Sequence, residues 1–97
     1  MKYLYSSRGE AVGFCDNGFV YNMSGRAIGQ IHEEHVFKIG GEYVGELYKD
    51  MVVDKGLGSL GNIGNCGNPG NAGSPGNPGN RGVVNYGYRD VFSRLSD

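Results

Sequence analysis

Four consecutive 16-residue segments of this chain superpose without a gap, and copies too short to bury a face alone must share a common core. The segments are residues 4–19, 20–35, 36–51 and 52–67, and they open LYSSRGEAVGFC, VYNMSGRAIGQI, VFKIGGEYVGEL and VVDKGLGSLGNI. The tenth position is always glycine: Gly13, Gly29, Gly45 and Gly61. The ninth is aliphatic (Val12, Ile28, Val44, Leu60), and the twelfth is Cys15, Ile31, Leu47 and Ile63.

Each unit reads as strand, tight turn, strand. Two-residue turns are expected at Arg8-Gly9, Ser24-Gly25, Gly40-Gly41 and Gly56-Leu57, because glycine supplies the positive φ of short hairpin loops. In that register position 2 faces position 9, pairing Tyr5 with Val12, Tyr21 with Ile28, Phe37 with Val44 and Val53 with Leu60. Position 1 (Leu4, Val20, Val36, Val52) then falls opposite the glycine. Both faces come out apolar, so the sheet must be covered twice. Strand glycines mark close approach of other atoms. The expected fold is therefore all-β, four hairpins around a pseudo-fourfold axis over residues 1–63, with Gly13, Gly29, Gly45 and Gly61 as structural positions. An ordinary meander with bulges at the glycines is the alternative.

The chain holds 19 glycines in 97 residues, where average usage gives roughly seven. The excess lies in residues 58–82, where every third residue is glycine, the next is usually Asn, and the third column runs Leu60, Ile63, Cys66, Pro69, Ala72, Pro75, Pro78, Arg81. A period of three fits polyproline II or polyglycine II, which has no internal hydrogen bonds. Straight, at ~3.1 Å per residue, the tract would span about 78 Å, against a diameter near 27 Å for a 60-residue domain. It must fold back, stay disordered, or project and associate. Collagen-like association points to a homo-oligomer, a trimer first, with the Asn amides bonding between chains; a flexible linker is the alternative. Residues 83–97 form a tail with a strand-like Val83-Val84-Asn85-Tyr86 and a short helix carrying Val91, Phe92 and Leu95. The tail and the tract are the candidates to cover the ring.

The four units, with an aromatic second position in the first three and a V-G-x-aliphatic return strand, resemble the bacterial four-fold beta-flower family, small proteins whose four hairpins form a petal-like ring. The resemblance covers about residues 3–63 and carries no activity or functional residue with it. Leu57, where the other units have glycine, departs from the pattern.

Nine Lys/Arg against ten Asp/Glu give a net charge of −1, without the basic stripe that phosphates need, so nucleic acid is not expected as a partner. The opening residues show no apolar signal region, and no stretch reaches the ~20 apolar residues of a membrane span; a soluble, cytoplasmic protein is expected. Cys15 and Cys66 are too few for a disulfide framework, and Cys15 occupies an aliphatic position. His32-Glu33-Glu34-His35 holds the best metal-ligand types, His32 and His35, yet its spacing fits a charged turn better than a metal site. Gly56-Leu57-Gly58-Ser59-Leu60-Gly61 matches GxGxxG by letter but opens no helix. No cofactor and no catalytic residue is expected. Tyr43, Tyr48, Tyr86 and Tyr88 have no role in the repeat and are the ligand-binding candidates. The reading is a non-enzymatic structural or protein-interaction module whose tract assembles subunits; the alternative is a glycan- or peptide-binding domain using those tyrosines.

Overall fold

The computed structural model describes residues 1–58 and 60–96. Eight strands form one antiparallel sheet in chain order: β1 (Lys2–Tyr5), β2 (Ala11–Asp16), β3 (Phe19–Asn22), β4 (Ala27–His32), β5 (His35–Lys38), β6 (Tyr43–Tyr48), β7 (Met51–Asp54) and β8 (Arg89–Asp90). A 3-10 helix, Phe92–Ser96, follows. The all-β hairpin architecture read from the repeat is present. The sheet curls until its ends meet, where the Tyr5 amide donates to the Asp50 carbonyl (2.8 Å) and the Ser7 amide to Asp90 Oδ2 (3.0 Å).

Position 1 does face the glycine: Leu4 pairs with Gly13, Val20 with Gly29 and Val36 with Gly45. One step on, the expected pairs Tyr5–Val12, Tyr21–Ile28 and Phe37–Val44 are not formed. Tyr5 faces Ala11, Tyr21 faces Ala27 and Phe37 faces Tyr43, which leaves the ninth residue as a β-bulge. The cause is the loop, three residues rather than two. In the first hairpin the Ser6 amide donates to Glu10 O (2.8 Å) and the Gly9 amide returns to Ser6 O (3.0 Å). Asn22/Arg26/Gly25 and Lys38/Glu42/Gly41 repeat the pattern. Gly9, Gly25 and Gly41, at φ 88, 87 and 103°, are the left-handed residues such loops require. The bulge brings the ninth residue to the inner core, where Val44 is buried and Val12 and Ile28 pack alongside. Tyr21 joins a separate cluster with Phe14 and Ala27.

The links between hairpins are tighter. Asn17-Gly18 and Glu33-Glu34 take positive φ at both residues (50 and 82°, 52 and 70°). A left-handed conformation costs a non-glycine residue about 1–2 kcal/mol. It is held by the neighbouring petal, since Gly18 O accepts from the Ile31 amide (2.8 Å) and Glu34 O from the Leu47 amide (2.7 Å).

The fourth hairpin does not close on its own sequence. Leu57 stands where the others have a left-handed glycine, a conformation costly for a branched side chain. Leu60 and Ile63 form no return strand, and Gly61 lies outside the sheet at φ 78°. The tail supplies the missing strand: Val53 pairs with Asp90, Asp54 with Arg89, and the Val91 amide donates to Val52 O (2.9 Å). The strand expected at Val83–Tyr86 therefore forms further along the chain, at Arg89–Asp90.

Beyond β8 the chain turns into the ring. Val91, Phe92 and Leu95 are buried with Leu4, Val20, Val36, Val44 and Val52 in one core. The strand glycines make this possible. A Cβ on Gly13 would lie 2.7 Å from Phe92 Cζ, one on Gly29 2.9 Å from Leu95 Cδ2, and one on Gly45 2.9 Å from Val91 Cγ2. Each of the three glycines thus makes room for one side chain of the plug.

The tract folds back over the molecule, which measures 35 × 32 × 22 Å. The Ile63 amide donates to Gly41 O (3.0 Å), Ala72 to Gly25 O (2.8 Å) and Arg81 to Gly9 O (3.0 Å). Three triplets of tract therefore advance one petal, in the sense opposite to the hairpins. At each seat glycine meets glycine: Gly41 with Gly64, Gly25 with Gly73 and Gly9 with Gly82. The loop-tip glycines are consequently buried. The tract is not a polyproline II or collagen-like helix, because its glycines sit at φ +74 to +91°, whereas that helix needs about −75°. The side chains of Asn65, Asn68 and Asn77 accept from the glycine amide two residues on (2.7–2.8 Å), giving a chain of Asx turns. Proline placement follows the seating. From Ile63 to Arg81 the third-column amides that donate to the ring are 63, 66, 72 and 81, and the prolines are 69, 75 and 78.

Candidate functional site

Three of the four tyrosines singled out in the sequence converge at the seam where the ring closes. Tyr48, at the end of β6, holds Tyr86 and Tyr88 edge-to-face, each with centroids 5.4 Å away. Such geometry aligns positive ring edges with negative ring faces. Lys49 Nζ sits 5.5 Å from the Tyr48 centroid and 5.1 Å from that of Tyr86; Lys55 Nζ sits 4.8 Å from Tyr48 and 5.6 Å from Tyr88. Both ammonium groups are within cation–π range. Among the described residues no ion pair engages Lys49, Lys55 or Arg89.

The acids of the seam are spent internally. Asp50 Oδ1 accepts from Arg81 Nη2 (3.0 Å) and Tyr86 OH (2.9 Å), which with burial raises the Tyr86 phenol, burial first. Asp90 accepts from the Ser7 and Phe92 amides. Arg81 stacks on Tyr5, 4.7 Å from its centroid, and Lys2 Nζ donates to the Lys49 carbonyl. Beside Tyr88 a cleft of about 550 Å³ runs between the first loop and the tail, with Ser7, Arg8, Asn85 and Arg89 in its walls. The surface is thus aromatic and cationic, although the chain as a whole is slightly acidic.

Tyr43 belongs elsewhere. Its hydroxyl donates to Glu46 Oε2 (2.7 Å), and His35 Nδ1 lies 2.7 Å from the same oxygen. Burial, followed by this hydrogen bond to Glu46, pushes the Tyr43 phenol far up. Glu46 is buried, as is Gln30, its equivalent one petal earlier, whose amide donates to the Lys38, Ile39 and Gly64 carbonyls. Gln30 thereby ties the tract to the sheet, as does Tyr3 OH on the Pro75 carbonyl (2.9 Å). The repeat carried a signal for both, since position 11 is polar between apolar neighbours in these two units.

His32 and His35 turn to different partners, His32 Nε2 to Gln30 Oε1 (2.9 Å) and His35 to Glu46. No group of three His, Cys, Asp or Glu able to hold a metal occurs among the described residues. Cys15 is half-buried beside the core, and burial raises its thiol; Cys66 is exposed. No described helix is long and apolar enough to cross a membrane.

A family model described as that of a 4-fold beta flower protein matches residues 2–87. The match runs past the hairpins and takes in the glycine tract, which the resemblance read from the repeat had left out. No curated protein and no solved structure matches the chain.

Proposed function

The chain belongs to the 4-fold beta flower family, and from that premise we propose that it is a non-enzymatic protein-interaction module whose seam binds an acidic peptide segment of a partner. One observation carries this. Tyr48, Tyr86 and Tyr88 meet with Lys49 and Lys55 on their faces, and the carboxylates beside them are occupied by the fold. Aromatic side chains supply contact area at small entropic cost, and the cations select the partner's charge. An extended acidic segment can pair with Lys49 and Lys55 and continue past Tyr88 into the cleft beside Arg89 and Arg8. The glycan reading is less favoured because a sugar stacks on an aromatic face, and lysines lie over these.

Titration calorimetry of the full chain with an Asp/Glu-rich peptide is expected to show binding that weakens as salt rises. Lys49→Glu with Lys55→Glu is expected to abolish it while leaving the circular dichroism unchanged. Binding of neutral oligosaccharides in place of acidic peptides turns the assignment to the glycan reading. Binding of neither rejects the seam as a site.

A further inference from the structure

We propose that the arm formed by residues 58–96 exchanges reciprocally between two copies of this chain, giving a twofold dimer in which each ring is girdled and plugged by its partner's arm. Tyr86 and Tyr88 belong to the arm, so the seam is rebuilt when arms exchange, and the exchange does not depend on what the seam binds. The ring offers the arm a set of main-chain acceptors at its loop tips, the Gly41, Gly25 and Gly9 carbonyls, and the arm answers with the amides of Ile63, Ala72 and Arg81. The strand glycines offer three sockets, filled by Val91, Leu95 and Phe92. The open edge of β7 offers one strand position, filled by β8. Every one of these contacts joins the ring to a single continuous stretch of chain. An identical arm from a second copy satisfies them equally, which is the condition for exchange at low cost.

The connecting segment is the second observation. Leu57, Leu60 and Ile63 are 54, 43 and 43 % exposed, three consecutive aliphatic residues of one column. Beyond Ile63 that column turns to Cys, Pro, Ala and Arg. The aliphatic stripe runs from the end of the last ring strand to the first seat, which Ile63 itself makes, along the stretch that must span from one ring to the other when arms exchange. In a closed twofold dimer the two connecting segments run side by side at the axis, and there the stripe finds its own copy. Leu57 also removes the glycine that would have turned the chain back locally, so no hairpin loop opposes the crossing. Within one chain the arm is held at an effective concentration in the millimolar range, and exchange is therefore expected on refolding concentrated protein.

The full chain is refolded from urea at low and at high protein concentration and analysed by size exclusion with light scattering. A dimer fraction that grows with refolding concentration is expected, reduced about tenfold or more, the equivalent of one buried aliphatic contact, by Leu57→Ser, Leu60→Ser and Ile63→Ser together. Ile39→Cys then locates the arm, because the Cys66 amide donates to Ile39 O (3.3 Å). After oxidation the isolated dimer is expected to run as a covalent dimer on a non-reducing gel, beyond the level given by the unsubstituted chain. Should Ile39→Cys fail to fold, Arg26→Cys with Ala72→Cys, in a Cys66→Ser background, reads the same thing at the second petal. A monomer at every concentration, a dimer indifferent to the stripe, or a dimer whose cross-link stays within each chain overturns the proposal.

Discussion

Placing a methyl group on Gly25 and, separately, on Gly73 separates the worth of the glycine-on-glycine seat from that of backbone conformation. Both residues have positive φ, 87 and 79°, so alanine at either pays about 1–2 kcal/mol for the left-handed region. At Gly73 the new Cβ meets nothing within 4 Å. At Gly25 it would come to 2.5 Å from the Gly73 carbonyl carbon, main-chain atoms that cannot swing aside. The tract must lift. Overpacking costs about 1–3 kcal/mol, and losing the hydrogen bond from the Ala72 amide to Gly25 O adds about 1 kcal/mol. Gly25→Ala is therefore expected to destabilise by about 3–6 kcal/mol and Gly73→Ala by about 1–2. A chain of this size has about 5–15 kcal/mol to lose. Urea unfolding gives the two values, and hydrogen exchange at the Ala72 amide reports whether the tract has left its seat. Equal destabilisation by the two variants, with the Ala72 amide protected in both, refutes the seating argument.

Ala72→Pro removes the donor to Gly25 O and is expected to cost about 1–3 kcal/mol in urea unfolding, whereas Pro75→Ala, which removes no amide donor and keeps the carbonyl that accepts from Tyr3 OH, is expected to stay within about 1 kcal/mol; a reversed order sinks the account of proline placement. At alkaline pH the phenol of Tyr43 is the sensitive group. Its folded pKa is raised by burial and by Glu46, so the stability it confers is complete below the ordinary tyrosine value of about 10 and is lost as pH rises above it. Tyr43→Phe is expected to flatten the fall of stability above that pH, and an unchanged fall in the variant assigns the alkaline loss to other groups.

Much of the fold was legible from the repeat. A 16-residue period with glycine at its tenth position located three hairpins, the pairing of position 1 with glycine, and a doubly apolar sheet in need of cover. These follow from local rules, because strand alternation and turn glycines act over a few residues. The register beyond Leu4, Val20 and Val36 was not legible, since a two-residue and a three-residue loop end on the same glycine and differ only in the bulge at Val12, Ile28 and Val44. Of the candidate site, the sequence offered Tyr43, Tyr48, Tyr86 and Tyr88 because the repeat did not use them, and the structure brings the last three together. Their meeting depends on a tail returning to the end of β6, a contact between residues 38 and 40 positions apart that no local pattern encodes.

The tract marks the division most clearly. Its period of three was plain in the letters, and so was the length that forbids a straight run over its own domain. What it packs against was not, because glycine at every third position serves a triple helix, a free linker and a girdle alike. Tertiary structure decided it. Nine tract residues match one petal, so the Ile63, Ala72 and Arg81 amides meet the Gly41, Gly25 and Gly9 carbonyls. That match is between two repeats far apart in the chain, and it exists only once the sheet has curled and brought its loop tips to a common rim.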